Sequence, residues 1–482
     1  MALSACHASP RPAVNPANPA TSARPTGALE RLGREIEARL DAPPLEHGTW
    51  AIVIRSVDRG DTLYERNPHK LLMPASGMKT VTLAAAAARL GWDFSFETRV
   101  VADGAVDERF LNGDLVVVGT GDPSLDDWDG AATRLFESWA ATIKVRGIDT
   151  VGGRLVGNDN AIEDAGLGSG WAWDDLDRSF ATSVGALQFN QNAARLTVNP
   201  AEAESSPPEA ALAPEGNGLI LRNSMETVPV GVPTVFQTRR LVGTPLLELR
   251  GSIPVRSAPL VRTVSVQNPT LYFANALRKS LIANGIDVRG PAVDIDDLPD
   301  APHGAAAMTL VSHRSPPLSA LSVTMMKLSQ NLYAETIFQV LGGTDAVLAV
   351  LDGWGISRSD LLVADGSGLS RYNLVTADVL AAILAHMALD EELRQPFQDS
   401  LPVAGRDGTL AQRMKGTAAD GNVRAKTGSF SNARSLAGYV RTGDGETLAF
   451  ALIANNFGVA PSLIEETMDA IAVRLAEFRR GG

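Results

Sequence analysis

Between Leu71 and Leu90 the chain reads LLMPASGMKTVTLAAAAARL, and no other stretch restricts the fold as much. Pro74-Ala75 leads in, Ser76 opens a run of strong helix formers, and Gly91 stands where a helix would stop. Ser76 and Lys79 are three apart, so on a helix their side chains share a face and come within reach of each other. A serine hydroxyl is a weak nucleophile until a base takes its proton, and a lysine can be that base only when its pKa is lowered. The first turn of a helix disfavours a cation, which pushes Lys79 in that direction. An N-capping serine beside a solvated lysine would explain the same residues, so the stretch alone leaves both readings open.

Lysine usage bears on that choice. Of 43 basic residues only seven are lysines: Lys70, Lys79, Lys144, Lys279, Lys327, Lys415 and Lys426. Arginine supplies surface charge but stays protonated, so a site that needs a neutral amine must keep lysine. The formal net charge of −12 speaks against nucleic acid or an anionic membrane surface as a main partner. A single cysteine, Cys6, excludes an internal disulfide framework and a cysteine-rich metal site. The six histidines are scattered without metal-ligand spacing, so neither a metal nor another cofactor is expected. No apolar stretch reaches the roughly 20 residues of a membrane span. Leu3-Ser4-Ala5-Cys6 reads like a lipobox, which would make Cys6 a lipid-anchor point and the chain a lipoprotein, although the charged and apolar parts of an export signal do not precede it.

Taken in order, residues 1–26 have the composition of a disordered tether. Ala28, Leu32, Ile36 and Leu40 then mark an amphipathic helix, followed by a hairpin of Trp50–Ser56 and Thr62–Glu65. From about Trp92 to Pro299 short strand-like runs dominate, punctuated by Gly, Pro and Asn. Helical texture returns with the stripe Leu318, Leu321, Met325 and Leu328, which breaks at Ser329-Gln330-Asn331 before a helix over Leu332–Leu341. Three strands near the end (Val423–Thr427, Ser435–Arg441, Thr447–Asn455) and a closing helix complete the chain. An N-terminal helix and hairpin with a C-terminal meander and helix imply one mixed α+β domain, an antiparallel sheet flanked by helices and holding both chain ends. The β-rich stretch would be inserted into it.

Three short motifs stand in order: Ser76-x-x-Lys79, Ser329-x-Asn331 and Lys426-Thr427-Gly428. In this order they are a known signature of penicillin-recognising serine enzymes. With so few lysines, a chance Lys-Thr-Gly is expected only ~0.04 times, and Lys79 alone among the seven has serine three residues before it. Together with Gly113–Leu125, Trp171–Leu176, Asp365–Asn373 and Leu401–Leu410, the trio resembles the class C low-molecular-mass penicillin-binding proteins, D-alanyl-D-alanine carboxypeptidases/endopeptidases. The likeness runs from about residue 28 to 478. The 253 positions between Ser76 and Ser329 fit the family's two-domain insert. Gln330 departs from the acidic residue usual there.

The resemblance implies a penicillin-binding, β-lactamase-like transpeptidase domain formed by 27–92 and 303–482. The insert would comprise one domain of 93–162 and 258–302 and another of 163–257. It implies Ser76 as nucleophile, Lys79 as base, kept neutral by the helix start and by Lys426, and Ser329 as proton donor to the leaving amine. Asn331 would hold a substrate amide, Lys426 and Thr427 the terminal carboxylate, and Gly428 would admit substrate along the strand edge. Backbone N–H groups of Ser76 and Ser429 would form the oxyanion hole. The implied partners are peptidoglycan stem peptides ending in D-Ala-D-Ala, with β-lactams as inhibitors, and the implied location is extracytoplasmic. Two other readings compete. A serine β-lactamase shares the trio, but no Glu-x-x-x-Asn lies between Ser329 and Lys426, where the glutamates are Glu335, Glu391 and Glu392. A catalytically silent wall-binding protein would have no reason to retain Lys79 and Lys426. Asp365-Gly366-Ser367-Gly368 reads as a tight turn, His386 as a core residue, and Trp171 and Trp173 as buried anchors.

Overall fold

The computed structural model describes residues 27–162, 166–299 and 308–481. The tether and Cys6 lie outside the described residues. Alternation along the strands organises the larger body. In Thr49–Ser56 the side chains of Ala51 and Val53 enter one apolar core, while Trp50, Ile52 and Ile54 enter another. Thr447–Asn455 splits likewise, with Ala449, Ala451 and Ile453 on one face and Leu448, Phe450 and Leu452 on the other. A strand apolar on both faces must be covered on both, and helices do so. Gly27–Leu40 and Pro461–Glu477 pack on the outer face. Met78–Leu90 and Ala377–Leu389 pack on the inner one. The five strands run in the order Arg424–Phe430, Ala433–Arg441, Thr447–Asn455, Thr49–Ser56, Thr62–Arg66, antiparallel throughout. The N-terminal hairpin thus pairs with the C-terminal meander, and Arg424–Phe430, which carries Lys-Thr-Gly, is an edge strand.

The helix Met78–Leu90 is buried from Met78 to Ala87, with alanines where neighbouring helices approach. Ser76 does not cap it. It lies in a 3₁₀ turn, Ala75–Gly77, and the residue before the α-helix is Gly77, with no side-chain cap. Leu318, Leu321 and Met325 are buried as their stripe implies, but Leu328 is 70% exposed at the helix end.

The stretch between the helix Met78–Leu90 and the helix Leu318–Lys327 has an apolar core of its own. A seven-stranded sheet includes Glu97–Asp107, Phe110–Gly119, Leu155–Asn158 and Met308–Arg314, with Ala131–Val145 and Pro269–Ala283 as its helices. Two three-stranded sheets, one around Ala193–Asn199 and one around Leu246–Pro254, contribute to the same apolar cluster. Two strands lie across the boundaries expected from sequence. Met308–Arg314 pairs with Glu97–Asp107 rather than with the five-stranded sheet, and Leu260–Ser265 pairs with Ala193–Asn199. Pairing partners far apart in sequence decide this, and local pattern does not report them. Of the paired tryptophans, Trp171 is half-buried and hydrogen-bonded, but Trp173 is 66% exposed and anchors nothing. His386 stacks on Trp354 at 4.0 Å, half-buried, with burial lowering its pKa.

Candidate active site

The three motifs, dispersed over 350 positions, meet at one cleft. Ser76 lies at its floor, on a turn that strand packing holds in place. Asn455 brackets Met73 with both ends of its amide, accepting from its N–H at 2.8 Å and donating to its carbonyl at 3.0 Å. Ser435 donates to the Pro74 carbonyl at 2.6 Å. Ala75 is left-handed (φ 47°), a conformation that costs of order 1 kcal/mol or more and persists only where the surroundings enforce it. Gly428 packs directly beneath: a Cβ there would collide with the Pro74 carbonyl and Ser435 Oγ. The glycine therefore seats the serine turn, a different reason from the edge access expected for it.

Lys79 is fully buried, and three partners surround its Nζ: Ser76 Oγ at 3.1 Å, Asn331 Oδ1 at 2.6 Å and the Ser367 carbonyl at 2.8 Å. Ser367 O can only accept. Asn331 is fixed the same way round, because its Nδ2 donates to the Phe180 carbonyl at 2.8 Å. A neutral amine has two N–H groups and one lone pair. With both N–H groups drawn to obligate acceptors, the lone pair faces Ser76. Burial is the main cause that brings Lys79 down to about 7, against the opposing pull of Glu335 and Asp365. Desolvation, rather than the helix start or Lys426, dominates.

Lys426 is also fully buried, and burial followed by the Lys79 charge holds it well below the usual lysine range. Its Nζ donates to Ser329 Oγ and to the Thr427 carbonyl, each at 2.8 Å. Ser329 is left-handed (φ 57°) at the break between helices Leu318–Lys327 and Asn331–Leu341. Thr427 Oγ1 bonds Thr409 Oγ1 at 2.8 Å. Ser429 lines the cleft beside Ser76, Ser329 and Asn331, together with Arg371, Phe430 and Asp174, around about 550 Å³. All eight residues expected from sequence are therefore together, but Asn331 has its acceptor committed to Lys79 rather than open to substrate.

Sequence reasoning passed over Glu335 and the loop that follows. Glu335 is four residues after Asn331 on the same buried helix face, and it accepts from the backbone N–H of Ser367 (2.7 Å) and Gly366 (3.2 Å). Burial, then the nearby Asp365, pushes its carboxyl up to about 8. Asp365 accepts from Gly368 N (2.7 Å) and Ser370 N (2.5 Å) and from the Asn373 amide, which shapes the loop. The turn read as a plain connection thus delivers the carbonyl that orients Lys79. An acidic residue on an otherwise apolar helix was the available signal.

The model of the D-Ala-D-Ala carboxypeptidase 3 (S13) family matches residues 32–478. A D-alanyl-D-alanine carboxypeptidase of Actinomadura sp. (strain R39) is 35% identical, over 96% of this chain and 87% of that one. The crystal structure of penicillin binding protein 4 (dacB) from Haemophilus influenzae superposes with a TM-score of 0.81 over 92% of this chain and 99% of that chain, at 24% identity. The same protein complexed with a novel β-lactam gives 0.75 at 23% identity, with the same coverage.

Proposed function

The chain belongs to the S13 family of D-Ala-D-Ala carboxypeptidases, serine peptidases of the penicillin-binding type, and from that premise we propose that its chemistry runs through Ser76 and Lys79. The observation that carries this is a fully buried Lys79 Nζ, held by Asn331 Oδ1 and the Ser367 carbonyl and lying 3.1 Å from Ser76 Oγ. Lys79 takes the serine proton as Oγ attacks the carbonyl of the penultimate D-Ala. The amide C–N bond breaks, an ester to Ser76 forms, and the terminal D-Ala leaves as an amine. Ser329 relays to that amine the proton that Lys79 has taken, giving up its own O–H proton as it receives the one from Lys79. The Ser329 oxygen accepts from Lys426, so its own O–H is free to point at the leaving nitrogen. Backbone N–H groups of Ser76 and Ser429 steady the oxyanion, a contribution typically worth roughly 10²–10³ in rate. Water then hydrolyses the ester.

Lys426 and Thr427 take the terminal carboxylate of the stem peptide. An arriving carboxylate favours the charged form of Lys426, and that charge in turn disfavours a proton on Lys79. Substrate binding thereby readies the base. Asn331 contributes by holding Lys79, with its remaining N–H left for a substrate carbonyl. β-Lactams, as cyclic acylating agents, would trap Ser76. We assign the catalytic domain to 27–92 and residues after Arg314, with 93–314 as the insert, because of the strand pairing of Met308–Arg314. The substrate places the enzyme outside the cytoplasm, and among the described residues no single helix is long and apolar enough to cross a membrane. A lipid at Cys6 would tether it there.

A labelled penicillin followed by mass over time tests this reading. A lasting adduct on Ser76 is expected, with none on Ser76→Ala. Glu335 is buried, holds backbone N–H groups of the Ser367 loop and does not line the cleft, so it is not placed to activate a deacylating water. Rapid turnover of penicillin would point to a lactamase instead, and absence of any adduct would sink the assignment.

A further inference from the structure

Arg240 is a charged side chain in the interior that the chemistry above does not use. It ends the strand Val235–Arg240, which pairs with Leu246–Pro254, and it is only 8% exposed. Its Nη2 donates to Ser265 Oγ at 2.7 Å and its Nη1 to the Val266 carbonyl at 3.2 Å, while its Nε is buried without a hydrogen-bond partner. Among the described residues no carboxylate is hydrogen-bonded to it. Asp177 acts on it only through space, its Oδ2 being taken by the Thr238 hydroxyl. Burial outweighs that attraction and brings Arg240 down to about 10. A guanidinium kept in such a place costs desolvation that a well-packed apolar side chain would avoid, so stability alone does not account for it.

What Arg240 holds is a strap of chain that walls the cleft. Arginine has donors and no acceptor, so Ser265 Oγ must accept from it, and the one O–H of the serine is left for the Leu176 carbonyl, 2.5 Å away. Beside this bond Ser265 N donates to the Asp177 carbonyl at 3.2 Å, and Arg178 forms a β-bridge with Val264. The strap is therefore clamped over residues 176–178. Before the clamp it places Asp174 and Asp175 in the cleft wall, and after it Phe180. The Phe180 ring is 45% exposed, so its packing does not fix the backbone there. The clamp does, with Ala181 N returning to the Arg178 carbonyl at 3.0 Å. The Phe180 carbonyl then accepts from Asn331 Nδ2 at 2.8 Å, which turns Asn331 Oδ1 toward Lys79 Nζ at 2.6 Å.

On the reading of Lys79 as base, we propose that Arg240 is a positioning residue for it. By fixing the polarity of Ser265, Arg240 holds the strap at Leu176, and through the Phe180 carbonyl and Asn331 it sets where Lys79 Nζ points. The small sheet around Leu246–Pro254, which contributes no residue to the cleft wall, thereby takes part in the reaction.

Arg240→Met keeps an unbranched chain and removes every donor, Arg240→Lys keeps a donor, and Ser265→Ala removes the next link. These variants, the wild type and the double variant Arg240→Met with Ser265→Ala are each given a labelled penicillin and a peptide ending in D-Ala-D-Ala, with thermal unfolding followed alongside. Rates are taken per Ser76 that finally labels. Arg240→Met should acylate roughly three- to tenfold more slowly, less than the 10² or so that a full 1 Å misplacement can cost. The loss should fall on the limiting rate with KM little changed, and equally on penicillin and peptide, because Lys79 serves both. Ser265→Ala should lose a similar amount, the double variant no more than the larger single loss, and Arg240→Lys should recover part. Wild-type rates in Arg240→Met or Ser265→Ala, whatever their unfolding temperatures, would make the two residues struts and overturn the proposal. Losses that multiply in the double variant overturn it too, as does a loss confined to KM for the peptide, which would mean that the strap acts by touching substrate. If Arg240→Met does not fold, the rate of Ser265→Ala decides alone. Absence of any adduct on the wild type would instead remove the reading of Ser76 and Lys79.

Discussion

Arginine in place of Lys79 would keep a cation but could not surrender a proton at neutral pH. Lys79→Arg should therefore abolish acylation, and near-normal penicillin labelling of that variant would refute the role given to Lys79. The base must be neutral to act, and burial brings Lys79 to about 7, so the acylation rate should rise with pH through an acid limb near that value. The charged groups facing Lys79 are Glu335 and Asp365, which raise its pKa, and Lys426, whose charge is coupled to it. Glu335 is itself pushed up into this range, and only its ionised fraction raises Lys79; Glu335→Gln removes that fraction, so the limb should move slightly to lower pH, while an amide facing two backbone N–H groups costs about 1–3 kcal/mol in stability. A pH–rate profile of acylation checks this, because a merely structural Glu335 would lower the rate without moving the limb. At this scale the sequence was legible where chemistry demands rare residues. Lys79 and Lys426 stood out in a lysine-poor chain, whereas Glu335 did not, since its task is to hold backbone N–H groups that only the folded loop brings to it.

The elements around the site were readable wherever one period dominated. Strands apolar on both faces and helices with a buried stripe appear close to where the pattern puts them, with ends shifted by up to three residues. What the pattern could not show is how closely elements approach. The strand Arg424–Phe430 and the turn Ala75–Gly77 are packed so tightly that the side chain of residue 428 has no room. Gly428→Ala should push the Pro74 carbonyl and Ser435 apart, and with them Ser76 away from Lys79 Nζ. We expect acylation by penicillin to fall by at least tenfold, since misplacement of a nucleophile by about 1 Å can cost on the order of 10². Thermal unfolding should also come earlier. Full labelling at the normal rate would show that the turn relaxes at no cost, and would return the glycine to the edge-access role first read from its place in the motif.

Across the whole molecule, the stretch proposed as the insert begins and ends in two paired strands, Glu97–Asp107 and Met308–Arg314. Phe96 and Ser315 bond each other there, Phe96 N to Ser315 Oγ and Ser315 N to the Phe96 carbonyl, each at 3.0 Å. A second set of ties lies at the active site itself. Phe180 holds Asn331, Gln191 holds Gln330, and Gln188 donates to Thr336 at 2.7 Å on the helix that carries Glu335. Trp171 donates its indole N–H to Asp365 Oδ2 at 2.9 Å, and Ser370 donates to the Ser169 carbonyl at 2.6 Å. The stretch 97–314 thus supports the loop that presents the Ser367 carbonyl to Lys79, and it also walls the cleft through Asp174, Asp175 and Phe180. None of this was visible in the sequence, because each tie joins residues that are 139 or more positions apart. Trp171→Phe isolates one of them: an aromatic ring is kept, though a smaller one, while the N–H to a buried carboxylate is lost. Stability should fall by about 1–3 kcal/mol. Acylation should slow several-fold, because Asp365 shapes the loop through Gly368, Ser370 and Asn373 and so sets where Ser367 O lies. Measuring both quantities separates the two roles of the insert. A variant that is less stable but labelled at the wild-type rate would make Trp171 a strut alone, with Lys79 oriented entirely from within the catalytic domain.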